Sequence, residues 1–270
     1  PRKSPAANAT PLIDVTNVTE IPIEAEETRL LDGRVACFQP RRGYRSAIDP
    51  ILMQAALPVS SGQRVLELGC GAGAAALCLA WRAPDVSVTG LDVQAPLIEL
   101  ARRGAAENGL PGRVEFLAGD LLDPPPGVAA GGFDHVMANP PFQKEGTSRP
   151  SPDPVKAVAT VEGRARLADW IAAAVGLARD GGTVTVIHHG DRAGELAELM
   201  AAHLGALAVL PFVARQGETR IRRVLVQGRK GGSAGRRNLP AFVLHDAAGA
   251  YTPAADAVLR GTQLLDLTAE

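Results

Sequence analysis

The sequence predicts an α/β fold with a mostly parallel sheet and an antiparallel hairpin towards the C-terminus. Three observations point there. From Arg64 onward, short apolar runs alternate with helical stretches, the pattern of a parallel sheet covered on both faces. The first run ends in a glycine-rich turn that opens a helix, Glu67-Leu68-Gly69-Cys70-Gly71-Ala72-Gly73. Two late apolar runs, Ala206 to Val213 and Arg222 to Gln227, have only turn residues between them, which antiparallel pairing allows and parallel pairing does not.

The elements follow in order. Residues 1–27 mix Pro, Asn, Thr and Glu without a period and read as a loosely ordered extension. Residues 28–60 read as a hairpin and a helix packed on the main domain, which spans 61–270. The hairpin covers Thr28 to Gln39 and turns at Asp32-Gly33. The helix opens at Asp49-Pro50, with Asp49 as its cap and Pro50 at the first helical position. Then come a strand at Val65 to Leu68, a helix from Gly73 to Arg82, a strand at Val86 to Leu91, and a helix from Gln94 to Glu107 stopped by Asn108-Gly109. Strands follow at Arg113 to Leu117 and Phe133 to Ala138, and a long polar loop at 143–160. A helix from Arg164 to Leu177, a strand from Gly181-Gly182 to Ile187, and a helix from Asp191 to His203 precede the final hairpin.

Composition excludes several classes. Net charge is −1 and the pI about 6.6, so the chain is no non-specific coat for duplex nucleic acid. The 29 Gly and 21 Pro indicate many tight turns in a chain that is still 46% hydrophobic. Cys37, Cys70 and Cys78 are odd in number and lack metal-ligand spacing, which implies a reducing compartment, no disulfide framework and no metal. No stretch has the length of apolar residues that a membrane span needs, and Pro1-Arg2-Lys3-Ser4 lacks the apolar core of a signal peptide, so the expected location is the cytoplasm.

The glycine loop predicts a nucleoside site. Its glycines permit a sharp turn and close approach of backbone to ligand. Asp92, at the end of the second strand, can accept hydrogen bonds from two ribose hydroxyls. Gly119-Asp120 ends the third strand, where the carboxylate can accept from the exocyclic amine of an adenine; a plain turn role is the alternative. Gly69, Gly71 and Ala74 also fit a nicotinamide-binding fingerprint. Glu67 opposes that reading, because a carboxylate beside the loop repels a pyrophosphate and attracts an ammonium.

Asn139-Pro140-Pro141-Phe142 follows the fourth strand, whose carboxyl end should abut the same crevice. An amino group on an aromatic ring is a poor nucleophile because its lone pair is shared with the ring. The Asn139 side-chain oxygen and the Pro140 backbone oxygen can accept its two N–H groups, the prolines hold those acceptors in place, and Phe142 can stack on the planar target. An electrophilic sulfonium methyl needs no general base to start transfer, since the nitrogen can lose its proton after attack.

On these residues the chain resembles the bacterial tRNA(Val) adenine-N6 methyltransferases, within the class I S-adenosylmethionine-dependent enzymes that carry Asn-Pro-Pro-aromatic. The resemblance runs from about Asp32 to Gly261. It takes in Gly43 to Asp49, the glycine loop, Phe133 to Phe142, Arg222 to Val226 and Tyr251-Thr252. It implies a Rossmann-like class I methyltransferase fold. It also implies S-adenosylmethionine held by Glu67, Gly69, Gly71, Gly73, Asp92 and Asp120, base handling by Asn139, Pro140 and Phe142, and a tRNA adenine beside the anticodon as acceptor. Guanine N2 of ribosomal RNA and the side-chain amide of a protein glutamine are alternative acceptors with the same planar NH2. A non-catalytic cofactor-binding protein is a third reading, opposed by the intact tetrapeptide. Arg41, Arg42, Arg45, Lys144, Arg220 and Arg222 are candidates to hold RNA phosphates, against a solvated surface as the plainer reading. His188-His189 makes a poor metal pair, Cys70 reads as a small packed side chain, and Trp81 and Trp170 read as core.

Overall fold

A computed structural model describes residues 24–41, 48–144 and 159–267. Strands β1 (Ala25–Leu30) and β2 (Val35–Pro40) form an antiparallel hairpin. Its turn carries Leu31, Asp32 and Gly33 at positive φ, which the Asp-Gly pair tolerates. The hairpin docks through Asn108, whose side chain pairs with both backbone groups of Ala36 at 2.8 and 2.7 Å, as a neighbouring strand would.

Next come α1 (Asp49–Ala55), β3 (Arg64–Leu68), α2 (Ala74–Arg82), β4 (Ser87–Asp92), α3 (Ala95–Glu107), β5 (Val114–Ala118) and β6 (Phe133–Ala138). They are followed by α4 (Leu167–Leu177), β7 (Ala178–His189), α5 (Ala193–Ala201), β8 (Gly205–Arg215) and β9 (Ile221–Arg229). The chain then adds β10 (Arg237–Asn238), β11 (Phe242–His245) and α6 (Pro253–Leu259). The strands from β3 on form one sheet in the order β10-β8-β9-β7-β6-β3-β4-β5, with β11 also on β8. Every pairing in it is parallel except those of β9 with β7 and β8. This mostly parallel sheet with an antiparallel hairpin is the architecture that the sequence predicts.

Central strands such as β3 are buried on both faces, and apolar side chains pack above and below them in two clusters. Helix α2 begins Ala74-Ala75-Ala76, whose small side chains bring its backbone close to the sheet. No helix among the described residues is long and apolar enough to cross a membrane.

The predicted hairpin is there as β8 and β9, with β9 inserted between β7 and β8 and with β10 and β11 paired on β8 beyond it. Several expectations are corrected. The cap of α1 is Ile48, while Asp49 lies inside the helix and pairs through its carboxylate with Arg223 at 2.8 Å. Helix α4 starts at Leu167, not Arg164. There the Asp169 carboxylate accepts the Arg166 N–H at 2.8 Å and Glu162 accepts the Leu167 N–H at 3.1 Å, satisfying donors a helix start leaves open. The stretch from Asp191 opens as a 3-10 turn, Gly190–Arg192, before α5. Trp81 is 37% exposed with the Arg34 guanidinium 5.7 Å over its ring, whereas Trp170 is buried as expected.

Candidate functional site

The carboxyl ends of β3, β4, β5 and β6 open into one cavity of about 180 Å³. Parallel strands place these ends side by side, so loops far apart in sequence meet there. Glu67, Gly69, Gly71, Asp92, Asp120 and Asn139 line it.

The loop after β3 turns with Gly69, Gly71 and Gly73 at φ of 67°, 53° and 81°. A Cβ on Gly69 would lie 2.5 Å from the Trp170 ring, so glycine here lets α4 close the cavity wall. Gly73 does not line the cavity: it caps α2 beside the Phe116 ring, which a Cβ would approach to 2.7 Å. Its part is packing of the helix onto β5.

Two buried carboxylates face this loop. Asp92, 8% exposed, accepts the Gly71 N–H and the Gln94 N–H, each at 2.8 Å. Burial raises its pKa, and the two backbone donors oppose that rise. Glu67, 4% exposed, accepts the Ala76 N–H at 2.9 Å in the first turn of α2. Burial nevertheless pushes its pKa up to about 8, against that hydrogen bond and with Asp92 adding to the rise. Asp120 fills the turn role, with Oδ1 accepting the Leu122 N–H at 2.9 Å, while Oδ2 meets Arg164 at 3.2 Å on the cavity lining.

The site fits S-adenosylmethionine. Gln94 lines the cavity with its buried Oε1 unpartnered, an acceptor that a nucleoside donor would satisfy. The loop glycines leave room for close backbone contact, and Asp92 keeps lone pairs for hydroxyls beside the amides it already holds. Gln94, Trp170 and Arg164 escaped the sequence reading as lining residues. Only Gln94, two residues after Asp92 at a helix start, carried a local signal.

The tetrapeptide after β6 divides between two cavities. Asn139 and Pro141 line the first. Phe142 lines a second, adjoining one with Gln143, Lys144, His189, Asp191 and Arg192. Pro140 is buried and lines neither. His188 lies beneath this turn, its Nε2 3.3 Å from the Pro141 carbonyl, and the His189 ring stacks on Phe142 with centroids 6.0 Å apart.

Arg42 and Arg45 lie outside the described residues. Arg41 is exposed at the end of β2, next to the cavity-lining Pro40. Lys144 lines the second cavity and pairs with Glu195 at 3.0 Å, Arg222 faces Glu218 at 3.8 Å, and Arg220 is exposed and lines neither cavity.

Comparison with known proteins agrees with this fold. Residues 49–152 match the methyltransferase small domain family. The chain is 30% identical to the tRNA1(Val) (adenine(37)-N6)-methyltransferase of Porphyromonas gingivalis over 195 residues, 71% of this chain and 76% of that enzyme. It is 30% identical to a release factor glutamine methyltransferase of Chlorobaculum tepidum, but over 59% of this chain and 56% of that one. It is 38% identical to ribosomal RNA small subunit methyltransferase C of Salmonella newport over 42% of this chain and 32% of that protein. The chain thus spans little more than half of the glutamine enzyme and a third of the ribosomal one. Among solved structures, a predicted O-methyltransferase from Agrobacterium tumefaciens superposes with a TM-score of 0.66 at 25% identity, covering 80% of this chain and 98% of that one.

Proposed function

Because this chain belongs to the S-adenosylmethionine-dependent methyltransferase family that includes the tRNA1(Val) (adenine(37)-N6)-methyltransferases, we propose that it methylates the exocyclic N6 of an adenine in the anticodon loop of a tRNA in the cytoplasm. One observation carries the reading: Asn139, at the end of β6, lines the same cavity as the glycine loop and Asp92. The breadth of the match to the tRNA enzyme favours RNA over the glutamine acceptor.

Bound S-adenosylmethionine supplies an electrophilic sulfonium methyl. Asp92 and Asp120 would hold the nucleoside end, and Glu67 would give its ammonium a carboxylate partner. Asn139 Oδ1 and the Pro140 carbonyl accept the two N–H groups of the adenine amine, which turns its lone pair away from the ring and towards the methyl. Proline rings stiffen the turn that carries both acceptors, which limits the reorganisation needed at the moment of transfer. Phe142 stacks on the purine. An unpaired loop base suits such a site, because its Watson–Crick edge and both ring faces are open.

The test is incubation of the protein with isotopically labelled S-adenosylmethionine and unmodified bulk tRNA, followed by digestion to nucleosides and mass identification. Labelled N6-methyladenosine is expected. Label absent from tRNA but present in ribosomal RNA or in protein would replace this acceptor with guanine N2 or glutamine.

A further inference from the structure

The two prolines of Asn139-Pro140-Pro141-Phe142 restrict the turn unevenly. Each ring fixes its own φ, and Pro140, standing before another proline, is confined to extended ψ. Between the Pro140 ring and Phe142, the ψ of Pro141 is the torsion that neither ring nor a following proline restricts. That torsion orients the Pro141 carbonyl and sets the direction in which Phe142 leaves the turn.

The Pro141 carbonyl is the group that His188 touches, 47 residues on in sequence, with Nε2 3.3 Å from the oxygen. The tautomer follows from the other ring nitrogen. The His189 backbone N–H lies 2.8 Å from Nδ1 and can only donate, so Nδ1 accepts and Nε2 carries the proton. His188 is 1% exposed, at the end of β7 against which β6 is paired. Burial holds its pKa down at about 4, with the Arg192 cation acting the same way, so the ring stays neutral. The next residue meets the next part of the turn: the His189 ring lies against Phe142 at an interplanar angle of 26°. Consecutive residues of one rigid strand thus contact consecutive residues of the turn.

We propose that His188 is the positioning residue of the acceptor turn: its Nε2–H, donated to the Pro141 carbonyl, fixes the torsion the prolines leave free and so sets where Phe142 meets the methyl acceptor. The proposal rests on the reading of this turn as the acceptor site. His188 itself moves no proton and touches no reacting atom.

The test compares His188→Leu, His188→Gln and Asn139→Ala with the wild-type full chain, using labelled S-adenosylmethionine and whichever acceptor the wild type labels best. Loss of a positioning contact is expected to lower kcat about 10- to 100-fold in His188→Leu, with KM for the cofactor nearly unchanged. Glutamine presents an N–H where His188 has Nε2, so His188→Gln is expected to recover most of that loss. Wild-type kcat in His188→Leu, or a His188→Gln as slow as His188→Leu, overturns the proposal while a slow Asn139→Ala leaves the acceptor reading standing. Near-normal turnover in Asn139→Ala overturns both. Should His188→Leu fail to fold, nitrogen-15 NMR of the wild type decides: His188 protonated on Nε2 across neutral pH supports the proposal, and protonation on Nδ1 overturns it.

Discussion

The Asp92 carboxylate accepts the Gly71 amide at 2.8 Å and ties the end of β4 to the glycine loop after β3. Its second oxygen holds the Gln94 amide at the start of α3, also at 2.8 Å. One side chain therefore sets the loop and the helix start on either side of the cofactor cavity. Asp92→Asn replaces one acceptor oxygen with an NH2 that faces a backbone N–H. Hydrogen bonds to charged groups contribute about 1.5–3 kcal/mol, so cofactor affinity is expected to fall about 10- to 100-fold with a lowered Tm. Isothermal titration and thermal melting check this; unchanged affinity would remove Asp92 from the cofactor site.

Glu67 links cofactor binding to protons. Its folded pKa of about 8 lies above the unfolded value, so its contribution to stability is full below the unfolded carboxylate range and is lost as pH rises through 8. An ammonium placed beside it favours the carboxylate, so binding at pH 7 is expected to release about one proton. Titration calorimetry in buffers of different ionisation enthalpy measures that number. Glu67→Gln should abolish the release, and should make the cofactor-free protein's stability flatter between pH 5 and about 8.

Asn139→Ala removes one of the two acceptors assigned to the amine. The expected outcome is a kcat lower by about 100- to 1000-fold, the usual cost of one preorganised hydrogen bond made in the transition state. Cofactor affinity should stay within about twofold, since the other lining residues are untouched. Single-turnover methylation and a cofactor titration on the same preparation separate the two quantities.

Gly69→Ala tests the wall of the cavity. The new Cβ would lie 2.5 Å from the Trp170 ring, at a φ of 67° that alanine rarely adopts. Overpacking of this kind costs about 1–3 kcal/mol, and the backbone conformation adds to it. Denaturant unfolding should show that loss, together with weaker cofactor binding as α4 is pushed from the loop. Unfolding at the wild-type midpoint would show that the ring has room to move.

The local sequence alone determined most of the elements as far as β9 and suggested the chemistry proposed for them. Alternating apolar runs and helical stretches announced the α/β sheet, and residues 67–73, Asp92 and Asn139, read as separate local signals, include residues that line one cavity. These are readable because backbone period, glycine torsions and proline restrictions act over a few residues. What the sequence could not show were the meetings of distant residues. The insertion of β9 between β7 and β8, the placing of Asp49 against Arg223 across 174 residues, and Trp170 over Gly69 all depend on sheet register and layer packing. His188 is the clearest case. Read locally it was half of a poor metal pair, and only the pairing of β6 with β7 put it under the Pro141 carbonyl. Contacts of this kind are set by which strands lie side by side, a property of the whole sheet that no short stretch contains.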